Sequence, residues 1–355
     1  MRPTSSPMPS LQPPGRDSSL RSGLFTVLPF LLLLGILSAI PAAAQTPTDD
    51  RTLGADAPAF HALQEGRAGD ATSLLRVALA ANPADATAHQ LLCRVFYAQD
   101  DAEPAIHECE LAASAQNIPS ALASDNHLWL GRAYGLKARH AGPIAGFTLA
   151  RKVESNFSRA VELNPSNVAA LNDLGEYDVA APFIVGGGAD KARALADRMM
   201  PRFPAAAHRL LARLADSNND VTTAEAEFKR AVGVQGSPEA WIDLAQFYLA
   251  HSRADDALNA IKSGLAADHT HGPVLVDAAS LLTEAHREPA LAERCLRDYL
   301  ASRAKSDEAP AFKVHLQLSR LLAARGDSKA AGLEIAAAAA LAPAFTHTGR
   351  SAQGL

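Results

Sequence analysis

Apolar side chains between Pro238 and His271 fall into two helical stripes: Trp241, Leu244, Ala245 and Tyr248, then Ala257, Ile261 and Gly264. Positions three and four apart share one face of a helix, so the spacing predicts two amphipathic helices joined by a turn. The small residues Ala245, Ala257 and Gly264 let the helices approach closely, while Trp241, Tyr248 and Ile261 fill the space beside them. One hairpin of this kind cannot bury both stripes alone and needs neighbours stacked against it.

The same slots recur along the chain. A first hairpin is predicted from Asp56 to Pro83, turning at Gly66, with Ala71, Leu75 and Ala78 on its second helix; its shortage of large apolar groups reads as an N-terminal cap. The second, Ala86 to Asn117, carries Leu92, Cys93, Phe96, Ala105, Cys109 and Ala112. In the third, Leu130, Gly131 and Tyr134 keep the slots, but Gly131 and Ala160 are 29 apart where the slots put them 19 apart. The Ala-Gly-Pro and Ala-Gly-Phe tripeptides between His140 and Thr148 predict that the excess is a protruding loop or an extended turn. The fourth (Leu171, Leu174, Gly175, Ala192, Ala196, Met199) holds an insert from Ala181 to Gly188, and the fifth carries Leu211, Ala212, Ala215, Ala224, Phe228 and Ala231. The seventh is weak: Val274, Ala278, Leu281 and Ala290 fit, but Arg294 and Arg297 fall on slots that should be apolar. The eighth keeps Leu318, Ser319, Leu322, Ala331, Ile335 and Ala338 in register, and a polar tail of residues 344–355 follows.

Eight hairpins with these slots, including the unaltered Leu130-Gly131-x2-Tyr134 core, resemble the tetratricopeptide-repeat family over residues 56–343. The resemblance implies an all-α, right-handed superhelical solenoid whose first helices line a concave groove that holds peptides or protein segments. The Gly-rich insert followed by Ala189-Asp190-Lys191-Ala192 is similar to inserts in exported bacterial members. An alternative reading is a periplasmic small-ligand or transport accessory protein, similar to the repeat-containing component of some TRAP transporters. That reading expects a pocket lined by Phe147, Phe183 and Ile184.

Charge alters this picture at the N-terminus. Arg2, Arg16 and Arg21 precede an apolar run from Leu24 to Ile40, and Ala42-Ala43-Ala44 precedes Gln45, which predicts a signal peptide over residues 1–44 and a short linker over 45–55. The protein is therefore expected to be exported, periplasmic or secreted, with an uncleaved membrane anchor as the alternative. The net charge of −5 gives no electrostatic case for nucleic acid.

The chemistry-bearing residues favour recognition over turnover. Histidines are scattered without HExxH or CxxCH, the His89/Cys93 and His107/Cys109 spacing fits no usual zinc pattern, and Gly186 to Gly188 lacks the Lys-Ser/Thr of a phosphate loop. No metal, cofactor or catalytic residue is assigned. Cys93 and Cys109 flank one turn in facing slots, a pair able to form a disulfide in an oxidising compartment. At the slot of Gln246, on the face predicted to line the groove, stand Arg94, Arg132, Glu176, Arg213 and Arg320; at the neighbouring slot stand Asn172 and Arg209. These eight residues are the candidate protein-binding groove, and its arginines predict a locally basic surface suited to carboxylates. The last helix, Ser328 to Leu341, has few charges and predicts a partner surface or self-association.

Overall fold

The computed structural model describes residues 54–345. The expected signal peptide, most of the linker and most of the polar tail lie outside the described residues. Those residues form sixteen α-helices and two short 3₁₀ turns, with no strand among them. The helices pair in chain order into eight antiparallel hairpins, each beside the next: α1 Ala57–Gln64 with α2 Ala68–Ala81, α3 Ala86–Ala98 with α4 Ala102–Ser114, α5 Ser120–Ala138 with α6 Pro143–Leu163, and α7 Val168–Ala180 with α8 Ala189–Met199. Then come α9 Pro204–Ser217 with α10 Val221–Gln235, α11 Pro238–Ala250 with α12 Ala254–Ala267, α13 Val274–Glu284 with α14 Pro289–Ala301, and α15 Ala311–Ala324 with α16 Ser328–Leu341. The fold is an all-α solenoid of tetratricopeptide-like hairpins.

Six of the eight turns between paired helices are built alike. Gly66, Asp100, Asn219, Ser252, His286 and Gly326 all have φ between 51° and 87°. The following amide bonds back to a carbonyl five residues earlier, as in Asp101 to Phe96 and Arg253 to Tyr248. This ending, with its left-handed residue, satisfies carbonyls that the helix itself leaves without partners. Helix starts are set just as locally. Asp85, Asn167, Asp220, Ser237 and Asp327 each accept a bond from an amide in the first turn that follows.

Packing explains the small slots. A Cβ on Gly131 would stand 2.5 Å from the ring of Phe157, and one on Gly175 would stand 2.8 Å from Leu210. Neither neighbour is free to yield, since both are buried. Inside the second hairpin, the Cys93–Cys109 disulfide ties α3 to α4 across a Cα–Cα distance of 5.3 Å.

Two local expectations are corrected. The extra residues of the third hairpin do not protrude as a loop; they lengthen both helices, leaving only residues 139–142 as the turn. Gly142 and Pro143 start a helix there, with Pro143 in the first turn, where its missing N–H leaves nothing unpaired. In the seventh hairpin the second helix is shifted by two residues, because the turn contains two left-handed residues, His286 and Glu288. Ala292, Leu296 and Tyr299 fill the apolar slots, and Arg294 and Arg297 face solvent.

The larger departure lies at the ends. The first hairpin is no free cap: its Ala59, Leu63 and Leu75 share a buried cluster with Leu91 of the second hairpin and with Phe312, Leu316 and Ala338 of the eighth. Gly66 is in close contact with Ala311, and Gly69 with Pro343. The array therefore closes on itself, and its first helices surround an inner face.

Candidate binding surfaces

The candidate groove residues lie where the slots placed them, but most are already engaged. Arg94 is buried and gives two N–H bonds of 2.8 Å to Asp307, whose carboxylate also accepts from Gln64 at 2.7 Å. Arg132 donates to Asp173 at 2.7 and 3.4 Å and lies 3.5 Å from Glu308. Arg209 lies 2.9 Å from both Asp243 and Glu176, and Arg213 donates to Gln246 at 2.9 Å. Asn172 is buried on the same side, whereas Arg320 is exposed. Two guanidiniums lie over the indole of Trp129, that of Arg94 at 4.9 Å and that of Arg132 at 4.6 Å from its ring centre.

The four buried or half-buried arginines face six carboxylates, those of Asp125, Asp173, Glu176, Asp243, Asp307 and Glu308, so the inner face is an ion-pair network with carboxylates in excess and not the locally basic surface expected from the arginines alone. Burial pushes the Asp307 carboxyl up, but Arg94 and Gln64 reverse this and hold it below the usual carboxylate range. Burial raises Asp125 and Glu308 despite the pull of Arg94 and Arg132 respectively. Asp277 on α13 is pushed up to about 7, first by burial and then by the charges of Asp243, Glu308 and Glu239.

Sequence reasoning missed the carboxylates. Asp173 and Asp243 stand one residue beyond Asn172 and Ile242, so the signal for them is an acidic side chain immediately after a groove-lining slot. Asp277 stands at the slot where the other hairpins carry Leu92, Leu130, Leu174, Leu211, Leu244 and Leu318, a visible break in the pattern. Asp307 and Glu308 lie between hairpins, where no slot predicts their direction.

A further surface lies on the edge formed by the long third hairpin. An open cleft of about 770 Å³ runs between α6 and the 3₁₀ turn Phe183–Val185, lined by Phe147, Arg151, Lys152, Phe183 and Ile184 among others. Ile144 is 88% exposed, Phe183 83%, and Phe147 and Ile184 also reach water. The turn is held firmly. The Tyr177 hydroxyl sits 2.7 Å from the Val185 carbonyl and 2.9 Å from that of Ala150, Val185 itself is buried, and Lys191 donates to the Gly186 carbonyl. Gly186 and Gly188 take φ values of 103° and 144°, which residues with a side chain rarely adopt. Among the described residues there is no group of three metal-binding side chains, and no helix is long and apolar enough to cross a membrane.

No protein-family model matches the chain, and no curated protein matches it in sequence. In fold it is similar to a thermophilic tetratricopeptide-repeat protein of Thermus thermophilus, with 20% identity and a TM-score of 0.42, over 64% of this chain and 100% of that one. It is also similar to a tetratricopeptide-repeat protein of Parabacteroides merdae (13% identity, TM-score 0.42, 69% of this chain and 91% of that one). Yeast Tom70 is a third likeness (16% identity, TM-score 0.48, 88% of this chain and 65% of that one).

Proposed function

We propose that this chain is an exported, non-catalytic scaffold of the tetratricopeptide-repeat kind, which holds a segment of another protein in the cleft between α6 and the Phe183–Val185 turn. The carrying observation is the exposure of Phe183, Ile184 and Phe147 along a cleft whose two sides, at Ala150 and Val185, are tied together by the Tyr177 hydroxyl. Large apolar groups gathered on a rigid edge expose surface that association would remove from water. Arg151 and Lys152 in the lining outnumber Glu154, whose carboxylate is paired with Lys191, which suits a segment with apolar anchors and acidic flanks.

Selection of peptides from a random displayed library on the immobilised protein tests this. Peptides with at least two large apolar residues are expected to be enriched, and Phe147→Ser with Phe183→Ser is expected to weaken them about ten-fold or more. Equal binding by that variant would refute the cleft as the binding site. The transport-accessory reading is favoured by the same lining residues; thermal stabilisation by small apolar solutes, with no peptide enriched, would support it instead. The largely exposed walls suit a chain lying across the cleft better than an engulfed solute.

The expectation of export has its own test. Protein recovered from the cell envelope should resist alkylation at Cys93 and Cys109 until reduced, and reduction should cost about 3 kcal/mol in denaturant unfolding for a loop of this length. Free thiols at both positions in freshly isolated protein would count against export.

A further inference from the structure

The segment joining α14 to α15 is shaped to present two side chains. The Tyr299 hydroxyl accepts from the Ser306 amide at 3.0 Å and donates to the Ala309 carbonyl at 2.7 Å, clamping residues 306–309 into a compact turn. From that turn Asp307 and Glu308 reach across to the first helices of the second and third hairpins. Asp307 receives the paired N–H groups of Arg94 and the Gln64 amide, and Glu308 meets Arg132. Both guanidiniums lie over the Trp129 ring. Adjacent carboxylates received by two arginines that share an aromatic ring form the arrangement of a bound acidic peptide, here supplied by the chain itself.

We propose that residues 302–310 are an internal ligand, and that Gln64, Arg94, Trp129 and Arg132 form a recognition site for a segment of another protein carrying two consecutive carboxylates. This goes beyond the cleft reading and concerns a different surface. The site has supports besides the loop: Arg132 also gives two bonds to Asp173, and the Arg94 guanidinium also lies over the rings of Trp129 and Phe60. Departure of the loop removes the Arg94–Asp307 pair that joins the second hairpin to the entry of the eighth, so exchange of one acidic segment for another leaves the apolar contacts of the first and eighth hairpins to hold the seam alone. A tethered ligand acts at an effective concentration of roughly millimolar, so a competitor must bring contacts beyond the carboxylates. The tether is thus a threshold against casual acidic peptides.

The test uses a fluorescent peptide with the sequence of residues 302–310 and a counterpart with Asn-Gln in place of Asp-Glu. Two full-length variants are compared with the unaltered chain: Asp307→Asn with Glu308→Gln, and a chain with flexible Gly/Ser insertions after Ser302 and after Ala309. Each variant is expected to bind the acidic peptide about ten-fold or more tightly than the unaltered chain does, and to prefer it over the amide peptide. Adding Arg132→Gln should remove the gain. Variants of native helicity that bind no better than the unaltered chain, or that accept both peptides equally, would overturn the proposal. Should both variants lose helicity, hydrogen exchange in the unaltered chain decides: millimolar acidic peptide is expected to speed exchange across residues 302–310, and unchanged protection would overturn it.

Discussion

Replacing Arg94 by alanine is expected to destabilise the protein by about 3–5 kcal/mol, because it strands a buried carboxylate. Asp307 is almost wholly out of water, and its charge is sustained by Arg94 and Gln64. Asp307→Ala should cost a similar amount for the converse reason. The two losses should not add. With both charges gone, as in Arg94→Met with Asp307→Leu, neither side is left unpaired, and isosteric apolar replacement of a buried pair is often neutral or better. Denaturant unfolding of the two alanine variants and the double replacement measures this. A single-variant cost below about 1 kcal/mol, the range of exposed pairs, would mean that water reaches the seam and the ring is not closed there.

This prediction concerns the feature least visible in the sequence. The slots around Trp241 located every hairpin because helical periodicity and close packing are local constraints, and each slot is repeated many times. The repeated turn was legible in part: Gly66 and Gly326 mark it openly, whereas Asp100, Asn219, Ser252 and His286 adopt the same left-handed conformation without the residue that advertises it. Gly142 and Gly146 pointed to a loop, yet the first starts a helix and the second is absorbed by one. Closure of the array depends on the summed rotation from repeat to repeat, which no single slot encodes. The locally basic surface expected from the arginines is offset for this reason, since Asp307 and Glu308 arrive from the far end of the chain to meet Arg94 and Arg132.

Asp277 carries the second large effect, and its sign is fixed by the direction of its shift. The folded carboxyl titrates at about 7 against an ordinary value of 3.8, with burial as the leading cause and Asp243, Glu308 and Glu239 as the repelling charges. Below the ordinary value the group is protonated in both folded and unfolded chains and contributes nothing. Between that value and about 7 the folded chain holds a proton that the unfolded chain releases, so stability falls as pH rises, and above about 7 the full penalty is present. The interval corresponds to about 4 kcal/mol. Asp277 is only partly buried, so screening by water reduces the expected span to about 2 kcal/mol. Asp277→Asn should match the unaltered protein near pH 4 and exceed it by that margin at pH 8, and parallel stability profiles would refute the assignment. Asp277→Leu, which restores the residue of the other hairpins, should be at least as stable as the Asn variant at pH 8. A stability optimum shifted toward acid follows from placing a carboxyl at an apolar slot. Because the ionised Asp277 repels Glu308, the acidic segment that fills the inner face should be held least tightly at the alkaline end of the same range.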